Sequence, residues 1–385
     1  MRIAHVCLSC FYVDKMAYQE NLITKFHAKN HQVFILTSDY AFDASGNKIK
    51  KTEKNYINEF GIPVKVLDRS KRYWLYSRYN DFDNLYSSLE EINPDVIFCH
   101  GGQFVALKDV IKYCKNNKNV KLYIDQHGDY YNTPINSFKS KIIYKYIYGY
   151  WMRKAVPYVT KFWGVTPWRC QYLNEVFNIP KDKIDLLIMG GDDDEIHLDN
   201  RENIRKEIRE LHNISQDDLL IITGGKIDKA KRIDMLMEAV INLNINNLKL
   251  LVFGQPSKEM ASTIESLSKN DHIRHIGWIP SDKVYDYFLA SDLCAFPGTH
   301  SVLWEQACAC GLPGVFRDWE GMHHVDVGGN AIFLKDSSAE GIKRLLSDLL
   351  SHPEHLEVMR TVAQTKCIRT FSYREIAKKA ISEES

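Results

Sequence analysis

Short apolar runs separated by amphipathic stretches set the frame of this chain. Ile3–Leu8, Gln32–Thr37, Val64–Leu67, Val96–Cys99, Val120–Asp125 and Lys161–Val165 read as buried strands. Between them, Met16–Ala28, Phe82–Glu91 and Phe104–Cys114 repeat their apolar residues at helical spacing. Strand alternating with helix predicts a parallel sheet wound on both faces, and this one is complete by about Gly190. The alternation then starts again. Strands are expected at Leu219–Thr223, Leu250–Phe253, His272–Ile276, Leu293–Phe296 and Gly314–Phe316. Helices are expected from Ile233, over Lys258–Leu267 and Asp282–Leu289, in a short stretch closed by Gly311 and Pro313, and at Glu340–Leu350, Pro353–Gln364 and Tyr373–Ser382. The expected fold class is α/β, with two doubly wound domains. A chain of 385 residues exceeds one ordinary core and suits two. Asp43–Gly61, with its Gly46-Asn47 turn, reads as an exposed excursion, and the Gly-Asp-rich run after Met189 reads as a hinge.

The turn after the Leu219 strand carries the clearest chemistry. Gly224 and Gly225 are followed by Lys226, Lys229, Lys231 and Arg232, opposed only by Asp228, and then by a helix start. Free N–H groups at a helix start add partial positive charge, so the turn suits an anion. The alternative is a solvated charged turn between two core elements. No GxxxxGK[ST] run and no GxGxxG after a strand is present, which leaves a nucleoside diphosphate held by side-chain cations. In the first half, His100-Gly101-Gly102 and Gln126-His127-Gly128-Asp129 each follow a strand, the edge where open sheets bind ligands. Asp125 and Asp129 flank His127, which makes it the better candidate of the two histidines. In the second half, Thr299, His300 and Ser301 form a loop with backbone N–H groups and hydroxyls suited to a sugar, and Glu305 and Gln306 lie on the helix behind it.

Charge and cysteines narrow the classes. Lys plus Arg total 50 against 49 Asp plus Glu, so no global charge draws the chain to nucleic acid, and no nucleic-acid module is present. Lys139–Lys161 holds six Lys or Arg, no acid and a dense set of Tyr and Trp. As a helix it either packs one face on the core or docks on an anionic membrane. Nine cysteines without framework spacing, and no leader in MRIAHVCLSC, read as reduced thiols of a cytosolic protein. The Cys7–Cys10 CxxC has Cys7 inside a strand and no second pair, which argues against redox or zinc use. The DxD pattern in Asp192-Asp193-Asp194 is a weak metal motif beside a turn already rich in cations. No apolar run reaches the ~18 residues of a membrane span.

GGKIDKAK ahead of an amphipathic helix, HIGWIPSDKVYDYFLASDLCAFP, QACACGLP, GGNAIFLKD and the late FSYREIA together resemble the family 4 glycosyltransferases of the GT-B fold, over nearly the whole chain. The resemblance implies two Rossmann-like domains facing across a cleft. Residues 1–189 would take the acceptor and 190–365 the nucleotide-sugar, with 366–385 crossing back to the first domain. It implies retaining transfer from a nucleoside diphosphate sugar to a glycan or lipid-linked acceptor in bacterial surface polysaccharide synthesis. UDP is preferred to GDP as the commoner carrier, and no metal or other cofactor is implied. Such a protein would work in the cytoplasm or at the inner face of the cell membrane. Carried over by position, the diphosphate-binding cations fall on Lys226 and Lys231, the histidine near the donor sugar on His127, and the ribose-binding acid on Gln306. Gly224, Gly225, Trp278, Thr299, His300, Ser301, Val302 and Glu305 complete the expected donor side, and Tyr12, His100 and Asp129 the acceptor side.

The departures are specific. Lys226 keeps a charge but lacks the planar fork of arginine. The first of the family's two glutamates is Gly298 and the second is Gln306, with Glu305 as a candidate substitute. Fixed cations at Lys226 and Lys231 would meet the charge that builds on the leaving diphosphate. Two other readings stand beside this one. A nucleotide-sugar epimerase or hydrolase on the same fold needs an acid–base pair that the sequence does not display. A non-catalytic GT-B subunit that binds a partner transferase would explain the missing glutamate.

Overall fold

Every apolar run expected to be a strand is one in the computed structural model, which describes residues 1–10, 12–42, 48–70, 80–133 and 135–383. The Gly46-Asn47 turn lies outside these residues. Contacts divide the chain into unit 1, Met1–Ile188 with Ile376–Ser385, and unit 2, Met189–Glu375.

Unit 1 contains β1 (Arg2–Cys7), β2 (Gln32–Ser38), β3 (Tyr40–Phe42), β4 (Lys48–Lys50), β5 (Asn55–Ile57), β6 (Pro63–Leu67), β7 (Val96–Cys99), β8 (Lys121–Gln126), β9 (Val159–Gly164) and β10 (Ile184–Leu186). Its main sheet runs β10-β9-β8-β7-β1-β2-β6-β5, parallel except for the edge strand β5, and β3 pairs with β4. The short β3, β4, β5 and β10 were not expected. Helices cover both faces, and Leu85, Leu89, Leu107, Val110 and Met152 pack with Ile97 and Ile124 in one core. The expected helix at 139–161 is shorter. It comprises Phe138–Lys141, a π-helical stretch Ile142–Tyr148, and Gly149–Ala155. Pro157, which has no N–H to donate, ends it before β9.

Unit 2 contains β11 (Leu219–Gly224), β12 (Leu248–Phe253), β13 (Ile273–His275), β14 (Leu293–Phe296), β15 (Gly314–Arg317) and β16 (Ala331–Leu334), in the all-parallel order β13-β12-β11-β14-β15-β16. Strand β16 falls in the GGNAIFLKD segment and was not expected. The core helix Ile233–Leu243 buries Ile233, Leu236, Met237 and Val240, which recur at the spacing of one helical face.

The return to unit 1 begins at Ile376, later than the 366 read from the sequence. Residues 371–374 stay with unit 2 because Gly191 N–H donates to Phe371 O at 2.9 Å, and Asp193 accepts from Ser372 Oγ at 2.6 Å and Arg374 N at 2.9 Å. Asp193 is thereby committed to the turn that precedes the last helix, Tyr373–Ala380. A helix end leaves its final carbonyls without helical partners. Here His27 Nε2 donates to Ala377 O at 2.7 Å, Trp163 Nε1 to Ala380 O at 3.0 Å and Tyr123 Oη to Ile381 O at 2.9 Å. Three side chains of unit 1 thus capture the end of the chain.

Candidate functional site

In each unit the strand order reverses at one point, and open sheets take ligands beyond the C-terminal ends of the strands there. In unit 2 the point lies between β11 and β14. The loops that follow these strands are residues 225–232 and 297–302. Gly224 packs on the Phe253 ring, where a Cβ would stand 2.4 Å from Cδ1, and Gly225 has φ +104°. The step therefore suits glycine at both positions. Asp228 then accepts from Ala230 N at 3.0 Å and caps the short 3₁₀ turn Lys229–Lys231, and Arg232, at φ 51°, leads into Ile233–Leu243.

The four cations of this turn do different things. Lys226 is exposed, 3.7 Å from Asp228, and Lys229 pairs with Glu259 at 2.5 Å. Arg232 is exposed. Lys231 turns inward. Its Nζ donates to Thr299 O at 2.7 Å and His300 O at 3.1 Å, which uses two of its three donors. Burial lowers the pKa of its ammonium. Thr299 N–H donates back to Ala230 O at 3.0 Å, so the amide expected to meet a sugar is engaged within the protein. Gly298 is pressed on the same turn, where a Cβ would lie 2.3 Å from Lys231 Cα and 2.4 Å from Ala230 O.

A second clamp holds the loop from behind. His300 Nε2 and His324 Nε2 each donate to Glu305 Oε1 at 2.8 Å. Burial alone would raise the Glu305 carboxyl, but His300 and the two hydrogen bonds outweigh it and hold the group well below the usual carboxylate range. Glu305 is fully buried, so it fixes His300 from beneath and does not present a carboxylate to a ligand as the expected substitute would. His324 was not expected. Its mark in the sequence is the His323-His324 pair between Met322 and Val325. Gln306 is buried and donates to Tyr285 Oη at 3.3 Å, Trp278 is two-thirds exposed, and Ser301 and Val302 are half-buried.

In unit 1 the reversal lies between β1 and β7. His100 follows β7 directly, and His127 follows β8. Asp125 Oδ2 accepts from His100 Nδ1 at 3.2 Å and stands 3.1 Å from His127 Nε2, while Oδ1 accepts from Gly101 N at 2.7 Å. Burial works against charge on His127, yet Asp125 reverses the balance and raises its pKa above the ordinary value. The His127 side chain is 36% exposed, which makes it the member of this group within reach of a ligand.

The three residues expected on the acceptor side are all buried and engaged with neighbours in unit 1. Tyr12 is buried with Asn58 Nδ2 on its hydroxyl, and His100 is buried on Asp125. Asp129 is buried, accepts from Tyr131 N and Asn132 N, and pairs with Arg169 at 3.2 Å. Two groups among the described residues have metal-like composition, His100–Asp125–His127 and His300–Glu305–His324. Ligands ~2 Å from a tetrahedral zinc stand ~3.4 Å apart. Here the imidazole nitrogens lie 2.8–3.2 Å from one shared oxygen, the spacing of imidazole–carboxylate pairs. Burial raises the Cys7 thiol, and Cys10, raised first by its hydrogen bond to Cys7, is also kept from thiolate chemistry.

Residues 204–366, all within unit 2, match the family described as glycosyl transferases group 1. An uncharacterized glycosyltransferase of Methanocaldococcus jannaschii is 25% identical over 186 residues, 45% of this chain and 47% of that protein. A Bacillus subtilis glycosyltransferase named for teichuronic acid biosynthesis is 26% identical over 163 residues, 41% of this chain and 39% of that protein. The matches thus span less than half the length of either relative. The solved structure of Anabaena HepE in complex with UDP superposes with a TM-score of 0.71 at 14% identity, covering 98% of each chain. The fold class is the expected one, α/β of the GT-B type with two Rossmann-like units.

Proposed function

We propose that this protein is a retaining glycosyltransferase that moves a sugar from a nucleoside diphosphate sugar, UDP in preference to GDP, to a glycan or lipid-linked acceptor. The observation that carries the reading is the inward Lys231 at the reversal of unit 2, with Lys226 and Arg232 exposed on the same turn. Breaking a sugar–diphosphate bond builds negative charge on the leaving group, and cations already fixed in place stabilise it without reorganising. The role of His127 is to hold the donor sugar, and no metal is required. The UDP bound by Anabaena HepE supports the choice of base, and the name of the Bacillus subtilis relative supports a surface-glycan product. A thermal-shift panel of UDP, GDP, ADP, CMP, NAD and ATP, each with EDTA and with magnesium, tests this. One nucleoside diphosphate should raise the melting temperature equally under both conditions, by an amount that grows with its concentration over Kd. No shift from any nucleotide would favour the non-catalytic subunit, the reading to which Gly298 and the buried Gln306 lend support.

We also propose that an anionic membrane surface is a partner. Phe138, Ile142, Tyr146 and Tyr150 are exposed on the helical stretch 138–155, beside exposed Lys139, Lys141 and Lys154. Tyr148, Met152 and Ala155 supply the buried face, so the exposed aromatics are not needed by the core. Basic residues with interfacial aromatics suit such a surface. The protein should sediment with vesicles containing anionic lipid at low salt, be released by high salt, and bind less after Phe138→Ser with Tyr146→Ser. Failure to sediment at low salt would remove this partner.

A further inference from the structure

Unit 1 contains a buried row of histidines, of which only His100 entered the expected chemistry. His100 Nε2 meets His5 Nδ1 at 2.9 Å, His5 Nε2 meets His27 Nδ1 at 3.0 Å, and His27 Nε2 ends on Ala377 O at 2.7 Å. The other end is His100 Nδ1 on Asp125 Oδ2 at 3.2 Å, and that oxygen is 3.1 Å from His127 Nε2. All three imidazoles and Asp125 are at most 2% exposed. The row joins β1, the helix Gln19–Ala28, the loops after β7 and β8, and the captured C-terminal helix.

The protons in this row can be counted. Ala377 O only accepts, so His27 Nε2 carries hydrogen. A neutral His27 then accepts at Nδ1, which requires hydrogen on His5 Nε2. A neutral His5 accepts at Nδ1, which requires hydrogen on His100 Nε2. A neutral His100 would therefore turn a lone pair towards a carboxylate. Four hydrogen bonds need four protons, and three neutral imidazoles supply three.

We propose that His5, His27 and His100 are positioning residues that hold one excess proton at the His100–Asp125 contact, with its place set by Ala377 of the C-terminal helix, and that this proton tunes His127. The catalytic consequence rests on the reading of His127 given above, whereas the proton count does not. Burial drives His5 well below its ordinary value and His27 down to about 3, which keeps the far end of the row neutral. Burial opposes ionisation of Asp125, but His127 and His100 outweigh it and hold the carboxyl below the usual range, so the carboxylate is the acceptor at this contact. Other titratable groups face the row. Glu20 and Arg169 act on His127, and Arg169 is itself paired with Asp129. His31, paired with Glu383, faces His27, and the thiols of Cys7, Cys10 and Cys99 lie near Asp125.

Nitrogen-15 histidine spectra of the full chain without substrate test the count. The expected result at about pH 7.5, above the ordinary histidine range, is one imidazolium among His5, His27 and His100. A wild-type spectrum in which these three are all neutral overturns the proposal without any variant. His27→Leu removes the fixed end, so that His5 and His100 can both reverse their tautomers and reach Asp125 while neutral. It should abolish the imidazolium and raise the His127 pKa by about one unit, because Asp125 then acts on His127 unneutralised. His27→Gln donates to Ala377 O and accepts from His5 like the native residue, and should behave as wild type. Identical His127 titrations in the Leu and Gln variants would overturn the proposal, and the wild-type spectrum decides if the Leu variant does not fold. Nucleotide binding in the thermal-shift panel is independent of all these outcomes.

Discussion

Replacing Lys231 with alanine is expected to lower turnover roughly a hundredfold or more, the scale of losing one preorganised group that meets developing charge. The substitution acts in two ways. It removes the inward cation of the turn, and it frees the Thr299 and His300 carbonyls that now tie residues 297–302 to the cation turn. Lys231→Arg separates these effects. It keeps the charge, but its wider planar head does not match two carbonyls that converge on one ammonium. Its turnover should fall between the native and alanine values. Release of nucleoside diphosphate from the stabilising nucleotide's sugar donor measures all three proteins. Near-native turnover in Lys231→Ala would mean that the diphosphate lies elsewhere, whatever the melting temperature does.

What could be read before the structure follows from how each feature is encoded. Buried parallel strands such as Val96–Cys99 and Leu248–Phe253 are continuous apolar runs, and they announce themselves. The cation turn was legible because its glycines and lysines are contiguous. Its division of labour was not, since Lys226 and Lys231 look alike in sequence and only the packing of residues 297–302 against 230–231 sends one outward and one inward. Tyr12, His100 and Asp129 sit near strand ends, which suggested contact with a substrate. Their burial is a tertiary outcome that position at a strand end does not encode. The histidine row was hidden for another reason. His27 and its acceptor Ala377 are 350 positions apart, and the acceptor is a backbone carbonyl that leaves no mark in the sequence. The available hint was a histidine inside the apolar strand RIAHVC, a polar group that burial obliges to find a partner.

Placing a glutamate at position 298, Gly298→Glu, is expected to abolish turnover and not to raise it. The obstacle is the Cβ, which would lie 2.3 Å from Lys231 C and Cα and 2.4 Å from Ala230 O. These are backbone atoms, held on both sides by the Thr299 N–H bond to Ala230 O and the Lys231 bonds to the loop. Overpacking of this kind costs about 1–3 kcal/mol, and each kcal/mol lowers the melting temperature of a unit of this size by roughly 2–4 °C. Gly298→Ala should show the same thermal loss, since alanine already carries the clashing atom. Turnover should fall in both variants because the displaced loop takes Lys231 with it. Such a result would mean that glycine is the residue this loop requires, with His300, Glu305 and His324 fixing its far side, and its presence would then be no sign of lost catalysis. A glutamate variant with higher turnover and an unchanged melting temperature would mean the opposite. The position would then be a vacated catalytic one, and the native chain would fit the non-catalytic subunit better than the transferase.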